Sequence, residues 1–420
     1  MTTIRSIRVL AVLPLAAVIS ACSTTATAYT GLTLWNGTGT EAIQNVTLVV
    51  DGGRVVSVVS PDAELPQVAN TVSLAGKFVI PGLVEAHAHV SGAWAPDDVT
   101  SPEDRVREDL LLYARYGVTT VNSLGDDANV LAVRNAATPT DPRARLLAAG
   151  PVIAGNDPAA ARTEALRNAD DRVDWLKLRV DDNLGASAKM PWDAVSAVMD
   201  VGRERNIGVA THLFYLEDAK RLLELGTGML AHSVRDTDVD AAFITSIRES
   251  GICYVPTLVR EVSTFVYGER PDWFDDPFFL EHADMAEVAR VSAPAFMATT
   301  AASASGAAYR VGLVQAQRNL KVLSDAGIPI AMGTDAGPAG RFPGYFEHEE
   351  LQLMVDAGLT PAQALRAATG VAAECLSMGD VGTLEPGKWA DFLVLGEDPL
   401  QDIRATRTIE RVFIAGQEIE

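Results

Sequence analysis

Eight short runs rich in apolar and β-branched residues recur through the middle of the chain, at 78–89, 118–123, 146–153, 175–180, 208–213, 229–234, 252–258 and 328–333. Amphipathic stretches such as 192–205 and 216–224 separate most of them. A strand that returns through a helix re-enters its sheet in the same direction, so this alternation makes a parallel sheet. Eight such units predict an α/β protein built on a (β/α)8 barrel. No shorter repeat is visible beneath the alternation. One connection is oversized. Residues 259–327 hold Trp273, Phe274, Phe278 and Phe279, then an Ala- and Ser-rich stretch at 298–308. Such an elaboration forms either a lid over the site or a helical pair packed outside.

The flanks read differently. Runs at 33–35, 46–50 and 55–59 are short and β-branched, and Asp51-Gly52-Gly53 is a hairpin turn signal between two of them. The far end is similar, at 392–395 and 411–416. The economical arrangement pairs both chain ends in one small β-sandwich, 31–76 with 376–420, around a barrel spanning 77–375.

Ahead of this lie Arg5 and Arg8, an apolar run from Val9 to Ile19, and small residues ending at Cys22. The run is too short for a stable membrane span and reads as a secretory signal, residues 1–21. Ile19-Ser20-Ala21-Cys22 resembles a bacterial lipobox, which makes Cys22 the acylated new N-terminus and 22–30 a polar tether. The expected location is the periplasmic side of a bacterial membrane, held only by the lipid anchor. Cys253 and Cys375 are then the remaining cysteines. Two cysteines do not make a disulfide framework, and Cys253 reads as a small buried hydrophobe.

With 34 Lys and Arg against 55 Asp and Glu, the formal net charge is −21. Nucleic acid would be repelled by such a surface. Nothing in the sequence decides for or against a homo-oligomer.

Four of the six histidines sit at the ends of expected barrel strands. His87 and His89 are two apart on the first, so both point to one face. His212 ends the fifth run, His232 lies in the sixth, and Asp335 follows the eighth. Barrel sites gather at the C-terminal ends of strands, where these five side chains would converge. Four imidazoles and a carboxylate suit zinc or a similar divalent ion. Lys177 lies in the middle of the fourth run. A lysine inside a barrel costs several kcal/mol unless paired or neutralised. Burial lowers its pKa, and a neutral amine can take up carbon dioxide to give a carbamate, a ligand able to bridge two ions. The plainer reading pairs it with Asp174, Asp181 or another acid near the rim.

The segment Pro81-Gly82-Leu83-Val84-Glu85-Ala86-His87-Ala88-His89 resembles the opening motif of the amidohydrolase superfamily. Gly333-Thr334-Asp335, Glu350-Leu351, 355–361, 364–369 and 382–391 continue the likeness over nearly the whole mature chain. The imidazolonepropionase-like and prolidase-like branch, with a carboxylated lysine on strand four, is the nearest in pattern. The resemblance implies a distorted TIM barrel with a terminal β-sandwich. It implies one metal on His87, His89 and Asp335, another on His212 and His232, and carboxylated Lys177 bridging them with a hydroxide. Asp335, Lys177 and His232 would be the catalytic residues, Asp335 moving the proton to the leaving nitrogen. Glu85 stands where an aspartate is commoner, but it is not a ligand in the family.

The expected function is therefore hydrolysis of a C–N bond in a small amide: a dipeptide, an N-acyl amino acid or a cyclic amide. The expected cofactors are two divalent ions, zinc by default. A mononuclear deaminase of an amino-substituted heterocycle, with Lys177 structural, is the alternative; a non-catalytic exported binding protein on the same fold is another. Tyr215, Tyr254, Arg260 and His348 fall near the catalytic face and are candidates to bind a substrate carboxylate or carbonyl.

Overall fold

The computed structural model describes residues 25–420. The signal segment and Cys22 lie outside the described residues. Strands β1 (Thr27–Leu34), β2 (Ile43–Asp51), β3 (Arg54–Val59), β4 (Asn70–Ser73) and β5 (Phe78–Pro81) open the chain. Parallel strands follow: β6 (Leu83–Ala88), β7 (Val118–Ser123), β8 (Arg145–Ala148), β9 (Trp175–Arg179), β10 (Gly208–His212), β11 (Met229–Ala231) and β12 (Cys253–Val255). The chain closes with β13 (Phe392–Leu395), β14 (Ile409–Ile414) and β15 (Gln417–Glu418).

Both chain ends meet in one eight-stranded sheet, in the order β15-β14-β13-β5-β1-β2-β3, with β4 paired to β1. The join is β5, parallel to β1 and antiparallel to β13. At the β2–β3 turn Gly52 and Gly53 have φ of 56° and 78°, the pair of positive values a tight twisted hairpin needs. Two expectations change here. Residues 27–30 are not a free tether: they pair with β2 and β4, and Ala28 is buried. The run 78–89 is not one strand but two. It breaks at Gly82, where any Cβ would stand 2.2 Å from Thr119 Oγ1, so only glycine lets the chain cross from the terminal sheet into the parallel one.

Helices α1 (Pro102–Arg115), α2 (Ala128–Ala136), α3 (Pro158–Asp170), α4 (Trp192–Arg205), α5 (Leu216–Leu225) and α6 (Ala241–Ser250) connect β6 through β12. The result is an α/β fold of parallel β/α units, with β6-β7-β8 in one sheet and β9-β10-β11-β12 in a second. Ser101, Asp127, Asp157 and Asp240 cap α1, α2, α3 and α6 by accepting otherwise unpaired backbone N–H groups. The third and eighth expected runs are shorter than their apolar patterns suggest. After β8, Gly150 (φ 67°) and Pro151 interrupt pairing, and Ile153 keeps a single bridge to Leu178. Residues 328–333 make one bridge, Tyr254 to Ile330, and Ala86 N donates to Met332 O at 2.9 Å.

Period-two alternation sorts the side chains of β9. Leu176 and Leu178 join the core beneath the helices, while Trp175 packs on the opposite face with Val84, Ala86, Ala210, Ala231 and Val255. Lys177, two residues after Trp175, shares that inner face. Cys253 is a member of the same inner cluster, but it is not a lone hydrophobe: it forms a disulfide with Cys375, with Cα atoms 5.9 Å apart. The bond ties the start of β12 to the last residue of a late helix, and pairing across 122 residues leaves no local signal.

The long connection holds α7 (Leu258–Val262), α8 (Pro277–Leu280), α9 (Met285–Val291), α10 (Pro294–Ala301) and α11 (Ala304–Asp325). After it come α12 (Tyr345–Asp356), α13 (Pro361–Ala367) and α14 (Gly370–Cys375). Tyr267, Phe274 and Phe279 pack with Phe342, Tyr345 and Phe346 in one aromatic cluster, so this side of the connection is fixed against α12 and the loop before it. Among the described residues no helix is long and apolar enough to cross a membrane.

Candidate metal centre

Three ligand atoms, one each from His87, His89 and Asp335, lie within 4.8 Å of one another. His87 is the last residue but one of β6 and is fully buried; His89 lies just beyond that strand. His89 Nε2 is 2.8 Å from Asp335 Oδ1, and His87 Nε2 is 3.4 Å from the same oxygen. Close backbone approach makes this possible: Asp335 N donates to His87 O at 2.6 Å, and a Cβ on Gly337 would overlap His89 O at 1.8 Å.

Lys177 Nζ reaches into the same group, 3.1 Å from His87 Nε2. Neither Asp174 nor Asp181 pairs with it. Asp174 accepts from Ala148 N at 2.8 Å, and Asp181 accepts from His212 Nε2 at 2.8 Å. Burial lowers the Lys177 pKa to about 7, with Asp335 opposing and Arg179 adding to the fall. The histidine rings follow in a row: His87 to His232 has centroids 4.6 Å apart, and His232 to His212 has 4.1 Å. Burial holds His87 and His232 well below the usual imidazole range and takes His212 to about 3, so these rings are neutral, the form that ligates metal. Asp335 stays ionised. Burial opposes this, but the Arg341 guanidinium and His89 hold its pKa well below the usual carboxylate range.

Each distal ring has one nitrogen engaged from behind. His212 Nε2 is bound to Asp181, and His232 Nδ1 is 2.6 Å from Thr257 Oγ1. Among the described residues, His232 Nε2 is buried with no hydrogen-bond partner. An orphaned, neutral, buried imidazole nitrogen beside the His/His/Asp group fits a ligand whose metal is supplied from outside the chain, and the bonds behind it fix the tautomer. The donor set therefore fits divalent metal.

Three successive loops carry non-glycine residues with positive φ: His232 at 96°, Thr257 at 50° and Asp335 at 60°. Each such conformation costs about 1–3 kcal/mol and persists only where surroundings enforce it. Glu350 does part of this by accepting from Leu258 N and Val259 N at 2.8 and 2.7 Å. Glu85, whose side chain looked incidental, accepts from both His87 N at 2.6 Å and Thr334 N at 3.1 Å. It thus clamps the two metal-bearing segments together. Burial and then Glu347 push its pKa well above the usual range.

The four substrate candidates separate. Arg260 is buried beside the site, its Nε 3.9 Å from Asp335 Oδ2. Tyr215 precedes α5 and donates to Asp182 Oδ1 at 2.8 Å, in the loop after β9. Tyr254 is not a pocket residue: its buried hydroxyl accepts from Val234 N at 2.7 Å and pins the loop after β11. His348 is not one either. It is buried on α12, with Nδ1 2.9 Å from Thr406 Oγ1 and Nε2 donating to Tyr116 O at 2.8 Å. Sequence reasoning missed Arg341, which pairs with Asp335, Thr257, which stands behind His232, and Asp181, which stands behind His212.

Residues 78–419 match the model of the amidohydrolase family. The chain belongs to the amidohydrolase family, and is a hydrolase acting on carbon–nitrogen bonds. It is similar to an imidazolonepropionase of Deinococcus radiodurans, 26% identical over 389 residues that cover 90% of this chain and 92% of that one. An ochratoxinase of Aspergillus niger is 43% identical over 84 residues, 19% of this chain and 16% of its own. Among solved structures, a Xaa-Pro dipeptidase with methionine bound in its active site superposes with a TM-score of 0.73 at 22% identity, covering 94% of this chain and all of its own.

Proposed function

We propose that this chain is a binuclear metal-dependent hydrolase of the amide bond in a small substrate: a dipeptide, an N-acyl amino acid or a cyclic amide. The observation that carries the reading is Lys177. Its amine is buried against His87 of the His87/His89/Asp335 group and near enough to His212 and His232 to lower the pKa of both rings, its own pKa is lowered, and among the described residues no carboxylate forms an ion pair with it. A buried amine without a counter-ion is costly, and carboxylation would turn it into the anionic bridge the position lacks. His87, His89 and Asp335 would hold one ion, His212 and His232 the second, with Lys177 between them and the eight β/α units completing a TIM barrel. Zinc suits the histidine-rich set.

Bound ions of this kind supply Lewis acidity, polarising a scissile carbonyl and lowering the pKa of water. Asp335 Oδ would accept the proton of the attacking water and deliver it to the leaving nitrogen, since it is ionised and close to both histidines of its group. Asp181 and Thr257 keep His212 and His232 in the required orientation. Export and lipid anchoring at Cys22 rest on the residues up to that cysteine; radiolabelled palmitate entering the wild-type chain but not Cys22→Ala would support them.

The compactness of the His87, His89 and Asp335 group by itself favours a second reading, a mononuclear deaminase of an amino-substituted heterocycle. Metal content separates the two. About two ions per chain after refolding-free loading with zinc and bicarbonate supports the hydrolase. One ion would move the reading to the deaminase.

A further inference from the structure

His89 is the most exposed of the candidate ligands, its side chain 25% accessible against 0% for His87 and 8% for Asp335. It also lies beyond the end of β6, so its place depends on what holds the backbone to either side. The turn after β7, residues 123–126, does this. Ahead of His89, Leu124 N donates to Ala88 O at 2.8 Å; after it, Val90 N donates to Ser123 Oγ at 2.8 Å. The same turn lies against the ring, since a Cβ on Gly125 would stand 3.2 Å from both Cε1 and Nδ1 of His89. Ser123 is held in its turn. Its hydroxyl accepts from Val90 and donates to Asp126 Oδ1. Asp126 Oδ2 accepts from Ala149 N at 2.7 Å and Gly150 N at 3.1 Å, and Asp126 N donates to Gly150 O at 2.8 Å. Carboxylate and backbone thus both grip the chain just after β8. Ser123 and Asp126 are buried, and a buried carboxylate with three donors resists rotation because turning it strands a donor away from water.

We infer that Ser123 and Asp126 are positioning residues for His89, a relay that fixes its segment against the ends of β7 and β8 before any ion arrives. This rests on the reading of His89 as a ligand. Both side chains act through the Val90 amide and the wall behind the His89 ring, since their oxygens are already bonded within the relay. Asp126 anchors, Ser123 transmits, and His89 is presented at Asp335, 2.8 Å away.

The test uses the full chain, metal-free and zinc-loaded. Hydrogen exchange, read by mass spectrometry on fragments covering Val90, should show that amide protected to nearly the same degree in both states. Fast exchange that only zinc suppresses would mean that the ion organises the segment, and overturns the inference with no variant needed. Ser123→Ala removes the acceptor of Val90, and Asp126→Ala removes the anchor of Ser123. Each should weaken zinc binding in chelator competition by about ten-fold or more, the usual size for a group standing behind a ligand. Asp126→Asn keeps an oxygen for Ala149 and Gly150 and an amide able to donate to Ser123, so its affinity should stay near the wild type. The control for plain loss of stability is the Cys253→Ser, Cys375→Ser double variant, which should bind zinc as the wild type does. Unchanged affinity in folded Ser123→Ala, or an equal loss in the control, overturns the inference. So does Asp126→Asn binding as weakly as Asp126→Ala, because charge rather than orientation would then be acting. Alanine variants that fail to fold leave the Val90 exchange to decide. A wild type that binds no zinc takes down the metal reading itself, a failure distinct from a loaded wild type whose variants load equally well.

Discussion

Lys177 Nζ and His87 Nε2 stand 3.1 Å apart, two buried nitrogens from different strands, and no acid among the described residues is bonded to the amine. Lys177→Ala should therefore lose most activity, at least about a hundred-fold if the metals act as a unit, and should bind less metal. Short-chain carboxylic acids added to the variant are expected to recover part of both by occupying the vacated volume. Metal analysis and amidase assays check this; wild-type activity in Lys177→Ala would sink the binuclear model.

Asp181 sits 31 residues before His212 and holds its Nε2 at 2.8 Å. Replacing the partner behind a ligating imidazole typically costs about 10–100-fold in metal affinity or activity. Asp181→Asn is expected to fall in that range while melting within a few degrees of the wild type. Competition with a metal chelator measures it, and unchanged affinity would mean that His212 is not a ligand.

The Cys253–Cys375 bond closes a long loop, so opening it should destabilise the fold by roughly 2–4 kcal/mol. Thermal melts with and without reductant, and of a Cys253→Ser, Cys375→Ser double variant, give the size of the effect. Metal content of the reduced protein should stay as it was, because the bond joins the start of β12 to α14 rather than any of the ligand-bearing loops. Identical melting in both states would contradict a structural role.

Asp109 gives a pH signature away from the metal. Its buried carboxyl accepts from Ser91, Gly92 and Trp94 backbone N–H groups, yet burial raises its pKa to about 6. The folded state thus holds this proton more tightly than the unfolded chain. Its contribution is complete below about pH 4, the unfolded value, and is lost as pH rises to about 6. Stability measured by denaturant across that window should decline more steeply in the wild type than in Asp109→Asn. Parallel curves would show that Asp109 is ionised throughout.

The six candidate ligands were legible because two local periods carry them. Alternating apolar runs marked the parallel strands, and period two placed His87, His89, Lys177 and His212 on one side of their strands. The same patterns overran where backbone chemistry stopped a strand, at Gly82, at Gly150-Pro151 and at the positive φ of His232. Tyr254 and His348 looked like pocket residues because polarity near a strand end is all a sequence displays of them. Packing instead turned one toward Val234 and the other between Tyr116 and Thr406.

The chain by itself determined the class of fold and the kinds of atoms that would meet, because strand and helix periods act over a few residues. Tertiary structure alone decided which groups stand behind the ligands and that Cys253 meets Cys375. Those contacts join residues on different elements. Their energies depend on burial and orientation, which exist only once the sheets and helices have closed around them.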